Sequence, residues 1–283
     1  MTPNEYCKER AAKSGSSFYY SFLFLPTEQR HAIMALYAFC REIDDVVDEC
    51  KEPAIAQQKL DWWRGEVEAL YNGRAQHPVT IALSSALSHF SIQQQHMLAL
   101  IDGMQMDLYT NTYQDFDELY QYCYRAAGVV GLMSAEIFGY QNQETLKYAE
   151  YLGIAFQLTN ILRDIKEDYT RDRIYIPAND FQQFSLTPAE LIANQTRDAE
   201  KIQAFLKFQA ERAQSWYEKA FHHLSAEDRR NQRSGIIMAA IYNKVLGKIT
   251  RRPDAVLSSR VQLSPLHKLW IAWRTYRKEH RSV

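Results

Sequence analysis

The sequence predicts an all-α protein, and three observations predict it. Apolar residues recur at spacings of three and four rather than two, as on one face of a helix with about 3.6 residues per turn. Helix breakers are scarce, with 10 Gly and 8 Pro in 283 residues. Helix starts are also written in. Thr187-Pro188-Ala189-Glu190 has the capping-box spacing with Pro at the first helical position, and Asp115-Phe116-Asp117-Glu118 resembles one. With 46% hydrophobic residues the chain can bury a large core, and no stretch has linker composition or internal repetition. Residues 1–283 are therefore read as one domain.

In chain order, the first stretch with unusual chemistry is Ala35 to Asp48, which reads as buried helix yet carries Asp44-Asp45-Val46-Val47-Asp48. Tyr37, Arg41, Asp44 and Asp48 follow spacings of four, three and four, so they share one stripe. The second such stretch is Phe156 to Asp168. Gln157, Asn160, Asp164 and Asp168 form a similar polar stripe there, with Phe156, Leu158, Ile161, Leu162 and Ile165 on the remaining faces. One acid pair alone is ordinarily a solvated face. Polar stripes on two such apolar helices fit a shared cavity better.

Two carboxylates about 5 Å apart repel by roughly 3 kcal/mol at an effective dielectric near 20. A divalent cation removes that penalty. Carboxylates and an amide oxygen are hard ligands, which favours Mg²⁺ over zinc or copper, and Mg²⁺ usually completes its shell with water and substrate phosphate. The implied substrate is a phosphate or diphosphate ester.

The formal charge of −1 and pI near 6.7 give no global reason to expect nucleic acid. The C-terminal end differs. Between Arg260 and Val283 six basic residues (Arg260, Lys268, Arg274, Arg277, Lys278, Arg281) face one acid, Glu279, a local charge of +5. Leu266, Leu269, Trp270 and Trp273 are interleaved with them at helical spacing. Two readings stand: a last core helix with a solvated basic face, or a contact with the surface of an anionic membrane. No segment is apolar enough to span a bilayer, and Met1 to Gly15 lacks a secretory pattern, so a cytoplasmic protein is expected. Cys7, Cys40, Cys50 and Cys123 form no CxxC pair or zinc spacing and read as reduced thiols. Glu28-x-x-His31 occurs once, whereas a di-iron bundle would need that element twice. Markers of dinucleotide folds, P-loops and α/β-hydrolases are missing.

Four blocks in order carry a family resemblance: Ser16-Ser17-Phe18-Tyr19-Tyr20; Ala35 through Cys40-Arg41-Glu42-Ile43-Asp44 to Asp48; Tyr122-Cys123-Tyr124-Arg125-Ala126-Ala127-Gly128-Val129-Val130-Gly131; and Gln157-Leu158-Thr159-Asn160-Ile161-Leu162-Arg163-Asp164. Over about Ser14 to Arg274 the chain resembles the squalene/phytoene synthase family. Within it, Ser17 to Pro26 and Leu266 to Arg274 most resemble the bacterial enzymes that make presqualene diphosphate for hopanoids.

The resemblance implies an isoprenoid-synthase-type helical bundle with a central cavity, where two farnesyl diphosphates bind and Mg²⁺ bridges their diphosphates to both acid rows. It implies Asp44, Asp48, Asn160, Asp164 and Asp168 as the metal set, with Asp45 and Glu167 pointing elsewhere on their helices. Ser17, Phe18, Gln157, Arg163, Tyr175, Tyr242, Arg260 and Lys268 match positions that bind the substrates, and Tyr122, which matches the family's catalytic tyrosine, is expected to act together with Tyr37 and Arg41 beside the diphosphates. Diphosphate leaving an allylic carbon must be neutralised, which Mg²⁺ with Arg41, Arg163 and Arg260 could do. Phe18, Phe22, Tyr37 and Phe156 could offer π faces to the allyl cation, though packing is the commoner role of such rings. Neutral tyrosine is a poor base unless cations lower its pKa, so the released diphosphate is an equal candidate for proton acceptor. The expected product is presqualene diphosphate, with NADPH not required. Dehydrosqualene, phytoene or complete squalene synthesis, and a non-catalytic prenyl diphosphate carrier, are the alternatives.

Overall fold

The computed structural model describes residues 1–13, 17–50, 52–193 and 199–281; the side chains of Ser17 and Arg281 lie outside the described set. The order is α1 (Pro3–Lys13), α2 (Ser17–Phe22), α3 (Thr27–Glu49), α4 (Pro53–Tyr71), α5 (Pro78–Leu87), α6 (Gln94–Tyr109) and α7 (Phe116–Cys123). A π-helical turn (Tyr124–Gly128) leads into α8 (Val129–Phe138) and α9 (Glu144–Thr170). Then come α10 (Ala178–Gln183), α11 (Pro188–Ala193), α12 (Ala199–His223), α13 (Arg233–Arg251), α14 (Ala255–Ser258) and α15 (Pro265–Arg281). Among the described residues no β-strand occurs, only an isolated bridge between Thr112 and Ile174.

Both anticipated capping boxes form. Thr187 Oγ1 accepts from the Glu190 amide at 3.2 Å while Glu190 Oε2 accepts from the Thr187 amide at 2.8 Å. Asp115 Oδ1 accepts from the Glu118 amide at 3.0 Å, and Glu118 reaches back to the Gln114 amide at 2.7 Å. Each box satisfies donors that the first turn leaves without helical partners.

The apolar core forms two clusters. One joins α1 through α6 and much of α8; the other is built on α9, α12 and α13 with the segments around them. They meet where α8 and the π-turn pack backbone to backbone on α9. A Cβ on Gly131 would lie 2.1 Å from the Ala149 carbonyl oxygen, and one on Gly153 would lie 2.3 Å from that of Ala127. Only glycine allows that approach. The long helices α3 and α9 thereby flank a cavity of about 740 Å³, with α6, α8 and α13 completing its walls.

The C-terminal helix α15 packs on α13 and α2 through one face, burying Ile271 and Ala272. Buried Glu279 accepts two bonds from Arg229, both at 2.9 Å. The tryptophans do not join this core. Leu266 is 80%, Trp270 51% and Trp273 47% exposed, so the core-helix expectation holds for one face only.

Candidate active site

Both acid rows sit at the ends of their helices. Asp44 and Asp48 occupy the last turns of α3, Asp164 and Asp168 those of α9, and neither last turn contains a basic residue. The negative end of each helix dipole adds to the repulsion among these carboxylates. Cations must come from elsewhere. Arg41 bonds Asp44 and Asp45 from within α3. Arg163 bonds Asp164, and Arg260, from the segment after α14, reaches the same carboxylate at 2.9 Å. Asp48 receives Arg171 and Arg173, each at 2.8 Å, from the turn that follows α9. That turn hinges on Asp172, whose φ of 57° is rare outside glycine but tolerated by aspartate. It points two guanidinium groups at one acid and ties the end of α9 to the end of α3.

Burial acts on the carboxyls unequally. Asp44 is pushed up to about 6, burial outweighing the Arg41 guanidinium. Burial, reinforced by neighbouring Asp164, pushes Asp168 up to about 7. Asp48 goes the other way, because hydrogen bonds from Arg173 and Arg171 overcome the effect of burial and hold it below its ordinary value.

Asp44, Asp48, Asn160, Asp164 and Asp168 all line the one cavity, so the two rows do face each other. Asn160 Oδ1 is buried without a hydrogen-bond partner. An orphaned amide oxygen beside carboxylates is a donor set suited to a hard cation. Among the described residues no three His, Cys, Asp or Glu side chains form a ready cage for one ion. A cation here would take further ligands from water and phosphate, as Mg²⁺ usually does.

The other anticipated residues lie on the same cavity. Tyr37, Arg41, Gln157, Arg163, Tyr175, Tyr242, Arg260 and Lys268 line it, and so do Phe18, Phe22 and Phe156. The rings pack on one another as well as facing the space: Phe18 to Tyr37 5.6 Å, Phe18 to Phe156 6.3 Å, Phe156 to Tyr242 4.7 Å between centroids. Ser234 Oγ donates to the Ser21 carbonyl at 3.0 Å, which pins α2 to α13 and holds Phe18 in place. Ser17 lies at the start of α2, its side chain outside the described set. Burial, with Arg163 and Arg260 nearby, lowers the Lys268 ammonium below the usual lysine value. Asp45 points away, as expected, and pairs with Arg10 at 2.7 Å. Glu167 does not: it lines the cavity and reaches Arg171 at 3.2 Å, because it follows Asp164 by three and Asn160 by seven and so shares their face of α9.

Three charged lining residues escaped the sequence reading: Asp107, Arg171 and Arg173. Arg171 and Arg173 follow the second acid row within five positions, a signal that was present in the sequence. Asp107 shares α6 with Asp102, but only Asp107 lines the cavity, and its spacing pointed to neither row. It accepts from Tyr122 Oη at 3.0 Å and from Tyr175 Oη at 2.8 Å. Burial first, then Asp107, pushes the Tyr122 phenol well above its ordinary value. The cations that would have made Tyr122 a tyrosinate are turned toward the acid rows instead.

One cavity with acids and arginines at one end and aliphatic side chains such as Leu36, Leu100 and Leu152 deeper in suits a molecule with a multiply charged head and an apolar tail. The comparisons agree. The chain belongs to the squalene/phytoene synthase family, whose model matches residues 11–267. It is 34% identical over 269 residues to phytoene synthase 2, chloroplastic, of Solanum lycopersicum, covering 93% of this chain and 86% of that protein. With the phytoene synthase of Mycobacterium tuberculosis it shares 36% identity over 257 residues, 90% of this chain and 84% of the relative. A crystal structure of a dehydrosqualene synthase in complex with ligand superposes with a TM-score of 0.84 at 26% identity, covering 99% of this chain and 97% of the other. The squalene synthase HpnC of Alicyclobacillus acidocaldarius gives 0.79 at 26% identity, over 88% and 94%. The isoprenoid-synthase-type helical fold is thereby shown.

Proposed function

We propose that this protein condenses two farnesyl diphosphates head to head, joining C1 of one to the C2=C3 bond of the other, to give presqualene diphosphate and free diphosphate. The observation that carries the reading is that both acid rows, the arginines paired with them and buried Tyr122 line one cavity that turns apolar with depth. Asp44, Asp48, Asn160, Asp164 and Asp168 would hold Mg²⁺, which when bound neutralises the departing diphosphate. Arg163 and Arg260, and the arm of Arg41 that now pairs with Asp44, would then be available to the diphosphate oxygens. Phe18, Phe22, Tyr37 and Phe156 shield the allyl cation from water and present ring faces to it. A second reading keeps the chemistry and lengthens the substrate: the names of the relatives favour geranylgeranyl diphosphate and phytoene.

Incubation with farnesyl or geranylgeranyl diphosphate, with and without NADPH, followed by product identification separates these readings. Mg²⁺-dependent diphosphate release with a cyclopropylcarbinyl diphosphate from farnesyl diphosphate, unchanged by NADPH, is the expected result. Preferential use of geranylgeranyl diphosphate would move the assignment to phytoene synthesis. Tight binding with no release would make the protein a carrier.

The reading extends to where the protein works. Among the described residues no helix is long and apolar enough to cross a membrane. The outer face of α15 instead presents Leu266, Leu269, Trp270 and Trp273, with the Arg274 guanidinium 5.3 Å from the Trp270 ring and that of Arg277 5.0 Å from the Trp273 ring. Exposed tryptophans flanked by arginines suit the interface of an anionic bilayer. Lys268 on the same helix lines the cavity, so contact there would bring apolar substrates and product close to lipid. Co-sedimentation with phosphatidylglycerol vesicles, and less with phosphatidylcholine, is expected. Replacing Trp270 and Trp273 with Ala should weaken it at least about tenfold, from the apolar area lost. Equal sedimentation of the variant, or none by the wild type, would contradict the contact.

A further inference from the structure

Of the acids lining the cavity, Asp44, Asp48 and Asp164 are held by arginines and belong to the two rows, while Asp107 stands apart. It comes from a third helix, α6, and its hydrogen bonds come from two phenols. Tyr122 Oη donates to Oδ2 at 3.0 Å and Tyr175 Oη to Oδ1 at 2.8 Å. Arg173, whose charge acts on Asp107, directs its bonds to Asp48 and the Val47 carbonyl. The Tyr122 and Tyr175 rings are buried and stacked at 4.9 Å, with Tyr113 beside both at 5.7 and 6.1 Å. The segment after Asp172 runs along residues 111–114, with the Ile174 amide donating to the Asn111 carbonyl at 2.8 Å and the Ala178 amide to the Tyr113 carbonyl at 2.8 Å. Those backbone bonds fix Tyr175 in the stack.

We propose that Asp107 is the positioning residue of ring closure, taking the hydroxyl proton of Tyr122 as Tyr122 receives a proton from the substrate. This rests on the condensation reading above. A phenol has one hydrogen. Tyr122 lies 3.4 Å from Tyr175 Oη but 3.0 Å from Asp107, so its hydrogen goes to the carboxylate and its oxygen is left as an acceptor on the cavity. After C1 of the ionised prenyl group bonds to C2 of the other, the positive charge rests on C3. The C1–H bond then breaks and its electron pair forms the C1–C3 bond of the cyclopropane. The proton passes to Tyr122 Oη while the Tyr122 hydroxyl proton passes to Asp107, leaving a neutral phenol and a carboxylic acid. Asp107 returns that proton to water when the product leaves.

This arrangement accounts for a base that never has to be a tyrosinate. Burial pushes Tyr122 up, away from ionisation, and also pushes Asp107 up to about 6, which makes its carboxylate a stronger acceptor than an exposed one. Two phenol donors hold the carboxylate beside the stack, so its removal should change the fate of the cation more than the binding of the diphosphate.

The test uses the full chain and Asp107→Asn, which keeps the shape but cannot take a proton, with Asp107→Glu as the conservative variant. Single-turnover reactions with farnesyl and with geranylgeranyl diphosphate are read for diphosphate release, cyclopropyl product and prenyl alcohols. Binding of the unreactive farnesyl thiodiphosphate is measured in parallel. Expected for Asp107→Asn is binding within about twofold of wild type and continued release of the first diphosphate. Cyclopropyl product should fall roughly 10²-fold or more, with alcohols from water capture in its place, and Asp107→Glu should recover part of it. Substrate deuterated at C1 should show a larger isotope effect on product partition in Asp107→Asn than in wild type. Wild-type yield of cyclopropyl product from Asp107→Asn overturns the proposal. Loss of binding and release together with product overturns it too, since that assigns Asp107 to substrate binding or folding. A wild-type enzyme that releases diphosphate without making any cyclopropyl product refutes the condensation reading itself, and this inference with it.

Discussion

A chain carrying both Asp44→Ala and Asp164→Ala is expected to release no measurable diphosphate from farnesyl diphosphate at any Mg²⁺ concentration. Each substitution removes a hard oxygen donor from one of the two rows that face each other across the cavity. With both gone, α3 and α9 would each lack one of the carboxylates proposed to hold the metal. The arginines make the loss sharper. Arg163 and Arg260, freed from Asp164, and Arg41, left with Asp45 alone, would bind diphosphate in the ground state without a cation to stabilise the charge that develops as the C–O bond breaks. Binding can therefore survive while turnover drops by about 10³-fold or more, as when an electrostatic stabiliser is removed elsewhere. Circular dichroism should show the helical content of the wild type, because both side chains lie on the cavity rather than in the apolar clusters. Either single variant with wild-type turnover would show that its row holds no metal.

Tyr122→Phe is expected to lower turnover by roughly 10²-fold to 10⁴-fold, the range for loss of a proton-transfer group, with binding of farnesyl diphosphate changed little. Only one oxygen is removed. The ring keeps its stack against Tyr175 at 4.9 Å, and Asp107 keeps the Tyr175 hydroxyl at 2.8 Å, so the wall of the cavity retains its shape. Comparing single-turnover rate with the dissociation constant of farnesyl thiodiphosphate separates the two effects. Full activity in Tyr122→Phe would remove this phenol from the mechanism and leave the released diphosphate as the proton acceptor.

Periodicity reaches along one helix and stops at its end. It was enough to put Asp44 over Asp48, Asn160 over Asp164 and Asp168, and Tyr37 and Arg41 on the first stripe, because all of these are fixed by spacing within α3 or α9. The cost of two acid rows on apolar helices then argued for one shared cavity. Asp107 needed tertiary knowledge, while Arg171 and Arg173, near the second row in sequence, needed it only for their target, Asp48. Asp107 gains its meaning only when the turn after α9 lays Tyr175 beside Tyr122, and the two arginines only when Asp172 takes up its positive φ. Glu167 is a different case: its spacings of three from Asp164 and seven from Asn160 already put it on their face of α9, so periodicity alone places it on the cavity. On α15 the apolar spacing was legible but its partner was not. A stripe of Leu and Trp reads alike whether protein or solvent lies against it, and it is Ile271, Ala272 and Tyr276, not the Leu and Trp of that stripe, that pack on the core.

The central claim is that carboxylates from α3 and α9 jointly grip one metal–diphosphate head. A crystal structure of the wild-type protein with Mg²⁺ and farnesyl thiodiphosphate measures this most directly. Metal ions bonded to diphosphate oxygens and to side chains of both rows are expected, with Asn160 Oδ1 no longer without a partner. Diphosphate held by arginines alone, or metal bound to one row while the other keeps its arginine pairs, would contradict it.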